Sequence, residues 1–274
     1  MIEKIRNKPV AFSILFAIAL TVIWGITSLF VQEMFGQYEL QALQIATLIV
    51  NIIFAIIAIV LLGMINQING FKHVFKVKGL ARGLLVLVPV MVFFIFNLAF
   101  NAGNMTNIDL ENIGIFAPIA LMQAASAFMV NVLFRGLLVT ALFIKLSGTK
   151  GQRVKSVFKA SALYLVMYIP LSILNTGSIE FMQLVNTFIV SAGFCAAYLY
   201  SKNLISLILV QGIWQILGAA IDFFGFGDYA QITPLAFIVL IAILISIVVF
   251  AVIFSRRAEP FENIEIVTTT TGGE

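Results

Sequence analysis

Charge is scarce in this chain. Of its 274 residues only 10% are charged and 62% are hydrophobic, with a mean hydropathy of +1.11. Soluble domains carry roughly a quarter charged residues and about half apolar ones, so a water-soluble core is excluded and the solvent is lipid. Histidine is reduced to His73 and cysteine to Cys195. One thiol excludes an internal disulfide, and in an apolar stretch it reads as a small hydrophobe, since a reactive cysteine needs an electropositive, exposed setting. The lone histidine, between Lys72 and Lys76, reads as a solvated loop residue and excludes a second histidine for any dyad. No Gly-x-Ser-x-Gly elbow or phosphate-cradling glycine loop occurs.

What is abundant is long apolar runs. Runs of about 20 residues, the length that crosses a bilayer, fall near 9–32, 40–65, 84–100, 113–146, 158–175, 181–200, 204–221 and 234–255. The reading is an all-α, polytopic membrane helical bundle of about eight transmembrane helices, with residues 1–255 as the membrane domain and 256–274 as a polar cytoplasmic tail. The fourth run is long for one crossing, and Pro118 near its start predicts a break or a shallow entry segment there. The first run is too long for a signal-peptide core and is read as an uncleaved span.

The charges test this map independently, because cytoplasmic loops collect Lys and Arg. With the N-terminus inside, 15 of the 16 basic residues fall in cytoplasmic segments, from Lys4 through Lys72–Arg82, Lys145–Lys159 and Lys202 to Arg256 and Arg257. The outer segments hold acids instead: Glu33, Glu39, Asp109, Glu111, Glu180, Asp222 and Asp228. Both termini are then cytoplasmic. The net charge of +4 is accounted for by these loops, which an anionic leaflet attracts, and no nucleic-acid partner is expected.

The sixteenth basic residue is Arg135, inside the fourth span. A charge at mid-bilayer costs about 2.5–3.5 kcal/mol on insertion scales, and the nearest cytoplasmic marker, Lys145, lies about 15 Å further along the helix. Arg135 is therefore expected to face protein or a cavity rather than to snorkel. No acid falls on any predicted span, so its partners must be neutral groups, a lipid phosphate or a loop acid. Asn131, one turn earlier on the same face, is the nearest. Two further same-face pairs occur, Tyr164 with Tyr168 and Gln211 with Gln215. Taken singly, each such pair is ordinary helix-to-helix glue at about 0.6 kcal/mol per bond.

At these residues the chain resembles the CPBP family, the CAAX-protease and bacteriocin-processing intramembrane metalloproteases, also called Abi proteins. That family carries Glu-Glu-x-x-x-Arg, and here Val130-Asn131-Val132-Leu133-Phe134-Arg135-Gly136 keeps the Phe-Arg-Gly end without the glutamates. Tyr168 stands where the Phe-x-x-x-His motif places its histidine, and Gln211 and Gln215 stand where His-x-x-x-Asn would fall. The resemblance covers about residues 115–217. In the family the missing residues are thought to hold a divalent metal that activates water. A catalytic zinc takes His, Glu, Asp or Cys ligands and an open water position, none of which Val130, Asn131, Tyr168 and Gln211 supply. No catalytic residue, metal or cofactor is therefore expected.

Three functions follow as expectations. The first is a catalytically inactive pseudoprotease whose cavity, built from Asn131, Arg135, Tyr164, Tyr168, Gln211 and Gln215, serves as scaffold, regulator or immunity-type partner of another membrane or cell-envelope protein. The second is an active CPBP-type endopeptidase with a non-standard site, with Asp109 or Glu111 reaching inward. The third is a transporter, for which paired repeats and broken mid-membrane helices are expected and no convincing repeat occurs. The resemblance implies a membrane or envelope partner and a bacterial plasma-membrane location. The aromatic outer loop Phe223–Tyr229 reads as an interfacial anchor or a contact site.

Overall fold

In the computed structural model the described residues are 9–35, 40–69, 77–102, 113–146, 148–176, 180–224 and 233–260, and they contain helix and no strand. The elements are α1 (Pro9–Phe35), α2 (Leu40–Asn69), α3 (Leu80–Ala102), α4 (Ile113–Val130), a π-helical segment π1 (Asn131–Val139), α5 (Thr140–Leu146), α6 (Lys150–Thr176), α7 (Phe181–Ser201), α8 (Ile205–Phe224) and α9 (Pro234–Arg257). Since α4, π1 and α5 run on without interruption, the described residues form eight helical legs, roughly the number of transmembrane helices expected. Six of them are long and apolar enough to cross a membrane, and Ile205–Ile221 of α8 is a shorter apolar stretch. The remaining leg, α6, opens on the basic stretch Lys150–Lys159.

The expected break at Pro118 is not there. Helix α4 runs through Pro118, which lies little more than a turn from its start. A proline there removes only the one bond to the residue four back, Gly114, which is exposed. The irregularity comes later, over Asn131–Val139, where the helix widens to π geometry. Every residue of that stretch is buried, because π1 packs against α1, α2, α6 and α7. A π segment frees backbone carbonyls, and one is satisfied in place: the Thr140 hydroxyl donates to the Arg135 carbonyl at 3.2 Å. Tyr198 of α7 then donates to Thr140 Oγ1 at 2.6 Å.

The core sits around α7. Its stretch Ser191–Leu199 is buried on all sides, as expected of a helix enclosed by others, and α3, α6 and α9 pack around it. Gly193 is what allows the approach, because a Cβ there would meet Val90 of α3 at 2.7 Å and Ile247 of α9 at 3.0 Å. Large side chains such as Val22, Ile26, Ile45, Ile52, Leu235 and Ile245 point outward from α1, α2 and α9. In lipid that exposure is the favourable arrangement, not a defect.

Several helix ends that carry basic residues are interlocked. Gly79, at φ 98°, brings its backbone against the Ser201 carbonyl, and Asn203 Nδ2 donates to the Lys78 carbonyl at 3.5 Å. Arg153 donates through Nη1 to the Ala258 carbonyl, and Lys202 Nζ to the Pro260 carbonyl at 2.9 Å. Helix starts there carry side-chain caps. Thr149 and Gln152 form a reciprocal capping box at the head of α6, and Asn203 Oδ1 accepts from the Ser206 amide at the head of α8, at 3.0 Å. Arg256 and Arg257 lie in the last turn of α9, where the helix dipole favours cations.

His73, Asp109, Glu111, residues 225–229 of the aromatic loop and the tail from Phe261 onward lie outside the described residues. Of that loop's start, Phe223 and Phe224 pack on Phe116 of α4, with ring centroids 5.7 and 5.3 Å away.

Candidate functional site

The π segment presents Arg135 to the centre of the bundle, where it is 2% exposed. Its Nη1 donates to Asn131 Oδ1 at 2.6 Å and to Gln211 Oε1 of α8 at 2.8 Å. Asn131 Nδ2 completes a triangle by donating to the same Gln211 oxygen at 3.0 Å, and it also reaches the Ala127 carbonyl at 2.7 Å. The short distances fit bonds strengthened by a charged donor. The guanidinium carbon lies 4.5 Å from the Phe194 ring centroid of α7 and 5.6 Å from that of Tyr164 of α6. Aromatic faces attract a desolvated cation by about 2 kcal/mol, so rings and amide oxygens share the work that a carboxylate would otherwise do. Nε of Arg135 has no partner among the described residues.

Above the clamp opens a cavity of ≈ 300 Å³ between α3, α6, α7 and α8. Arg135, Tyr164, Tyr168, Gln211 and Gln215 all line it, and Asn131 lies behind the wall, bonded to two of them through the contacts above. The three same-face pairs therefore converge on one place. They do not play one role. The Tyr168 hydroxyl accepts from Gln183 Nε2 of α7 at 2.8 Å, and its ring stacks on Tyr164 at 6.3 Å. Gln215 Oε1 is buried without a partner among the described residues, as are Asn186 Oδ1 and Ser191 Oγ of α7 in the same wall.

Asn186, Ser191, Phe94 and Trp214 are lining residues that the sequence reading passed over. Asn186 and Ser191 carried a usable signal, being polar residues within the run at 181–200. Phe94 and Trp214, stacked at 4.4 Å and 6°, carried none, because aromatics abound in every span. Cys195 is wholly buried in the core, and its thiol lies beside the Arg135 guanidinium and the Ser161 and Ser191 hydroxyls.

The fit of a catalytic metal can be tested on these contacts. The two places that the family fills with a glutamate and a histidine hold Asn131 and Gln211, and their oxygens are both taken by Arg135. Both oxygens are thus already engaged by a donor. Neutral amides are in any case poor ligands for transition metals. No group of three or more His, Cys, Asp or Glu that could hold a metal occurs among the described residues. The residues present do not fit a catalytic zinc.

The fold and the buried clamp together define a multi-pass helical membrane protein with a polar cavity at mid-bundle. Residues 111–217 match the family model described as type II CAAX prenyl endopeptidase Rce1-like, the stretch that holds α4, π1, α5, α6, α7 and most of α8. The CPBP resemblance read from the Phe-Arg-Gly motif and the residues aligned with it is thereby shown for this part of the chain. No curated protein and no solved structure matches it.

Proposed function

We propose that this chain is a pseudoprotease, a CPBP-like bundle of the plasma membrane that binds a partner or ligand in the Arg135 cavity and cuts nothing. The single observation that carries this reading is the clamp itself. Where hydrolysis needs an open metal coordination position and a general base, Arg135 ties Asn131 and Gln211 together. The arrangement favours recognition instead. The buried guanidinium lacks a carboxylate counterpart among the described residues, and unpartnered polar atoms on Arg135, Asn186, Ser191 and Gln215 turn to one cavity. An occupant bringing an anionic or strongly accepting group would relieve the Arg135 Nε, and one bringing donors would relieve the Asn186 and Gln215 oxygens. A membrane or envelope protein, inserting a polar segment between α6 and α8, meets that description.

Two measurements on purified protein test this reading. Elemental analysis is expected to find transition metal far below one equivalent per chain, and a stoichiometric zinc lost on Gln211→Ala would overturn the reading. Crosslinking in membranes, followed by mild-detergent purification, is expected to retain a partner whose recovery falls on Tyr168→Ala or Gln215→Ala. Equal recovery from the variants would remove the cavity from the account.

A further inference from the structure

Six buried side-chain polar atoms have no partner among the described residues, and all six line one of two cavities. Four belong to the Arg135 cavity. The other two, Ser28 Oγ and Gln44 Oε1, line a second and larger cavity of ≈ 460 Å³ between α1, α2 and α4. We propose that this second cavity is a binding site for an uncharged, carboxamide-bearing ligand.

The lining carries the chemistry. Gln32, Gln44, Asn51 and Gln123 supply four carboxamides, Ser28 and Ser126 supply hydroxyls, and no Asp, Glu, Lys, Arg or His is among the lining residues. A charged ligand would lose its hydration there and gain no counter-charge, a cost of several kcal/mol in a low-dielectric setting. An uncharged ligand with adjacent N–H and C=O groups matches the Gln32, Gln44 and Gln123 amides, each with a donor beside an acceptor, while the Asn51 amide is engaged within the wall. Gln44 Oε1 accepts only, so the ligand must bring an N–H or O–H to it. Gln44 is 6% exposed, and a buried amide oxygen left without a partner bears its full desolvation cost. Such a group is retained where something arrives to pair with it.

The rest of the wall is already fixed. Trp24 Nε1 donates to Asn51 Oδ1 at 2.9 Å, and Asn51 Nδ2 points on to the Met122 carbonyl at 3.4 Å, which ties α1, α2 and α4 together. The Thr47 hydroxyl is turned back to the Leu43 carbonyl at 2.8 Å. This bracing leaves the indole, Ile119 and Met122 as an apolar side facing the amides. The volume falls within the range of about 300–1,000 Å³ usual for small-molecule sites.

The chain has two tryptophans, and each lines one cavity: Trp24 the neutral one and Trp214 the Arg135 one. Trp214→Phe therefore leaves a sole reporter of the proposed site, and Trp24→Phe a sole reporter of the other. The full chain in lipid nanodiscs would be titrated with the capped tripeptide N-acetyl-Ala-Ala-Ala-amide while tryptophan emission is followed. The expected result is a saturable change from Trp24 and none from Trp214. Adding Gln44→Leu to Trp214→Phe is expected to weaken binding tenfold or more, the ordinary effect of losing one buried hydrogen bond to a ligand. The same peptide with a free carboxylate, and maltose, which has hydroxyls and no amide, are expected to bind at least tenfold more weakly. A flat Trp24 titration, the result for a cavity that holds only water, would overturn the proposal. So would an unchanged curve with Gln44→Leu, or equal binding of maltose or of the uncapped peptide. If Gln44→Leu does not fold, Ser28→Ala is read in its place, and an unshifted curve there is equally fatal.

Discussion

The two cavities of this bundle share amides, hydroxyls and one tryptophan each, but one adds a charge and a set of Phe and Tyr rings that the other lacks. Around Arg135 the amides turn inward and are consumed in holding a guanidinium, with Phe194 and Tyr164 closing on its faces. Around Gln44 the amides hold one another's helices through the Trp24–Asn51 bond and leave oxygen atoms over. The difference shows what a buried charge does to its surroundings. It draws the two nearest amide oxygens, those of Asn131 and Gln211, into a structural keystone, while spare polar capacity remains further along the same wall at Asn186, Ser191 and Gln215, as it does at Ser28 and Gln44 in the neutral one.

The contrast can be broken or sharpened by substitution. Reversing the charge with Arg135→Glu puts a carboxylate against the Asn131 and Gln211 oxygens. It should cost at least the 3–5 kcal/mol typical of an uncompensated buried charge, so that little monodisperse protein survives detergent extraction in size-exclusion chromatography. Gly79→Val tests a contact that lines neither cavity. Its φ of 98° and the closeness of the Ser201 carbonyl predict a loss of about 1–3 kcal/mol, seen as a lower Tm by intrinsic fluorescence. Gln211→Ala removes one of the two acceptors of Arg135 and should cost about 1–3 kcal/mol, again read as Tm. Gln44→Leu is expected to do the opposite, because it deletes an unpaired acceptor and adds apolar surface. Its Tm should hold or rise by an amount worth up to about 1 kcal/mol. A large fall would mean that the neutral cavity is as structurally indispensable as the charged one.

Much of the fold was legible because lipid imposes a length and a polarity on each element. The expected runs at 181–200 and 234–255 differ by only one or two residues from Phe181–Ser201 and Pro234–Arg257. Apolar runs end where charges or polar clusters begin, and Asn203 and Thr233 mark helix starts in the sequence itself. Arg135 was legible as an inward group because its charge had nowhere else to go, and Asn131 as its partner because four residues return to the same face. The widening of the helix at Asn131–Val139 was not legible, since polarity does not encode turns per residue, and Pro118 drew attention to the wrong place. The Gln44 cavity escaped for another reason. Its amides come from α1, α2 and α4, and only contact between helices brings them together. One trace was present: Gln44 and Asn51 are seven apart, two turns along one face of α2, with Thr47 between them.

The π segment also sets a phase relation along its helix. Each residue of an α-helix advances the chain by about 100°, and wide turns of this kind carry more residues per rotation than the α-helix does. The outer half, which gives Met122 and Gln123 to the neutral cavity, and the inner half, which gives Phe143 to the core, are therefore keyed to each other by residue count. Deleting a single amino acid between Val132 and Val139 would let the segment relax to ordinary helix and rotate one half against the other. Both cavities would lose their alignment at once, although no group touching either had been replaced.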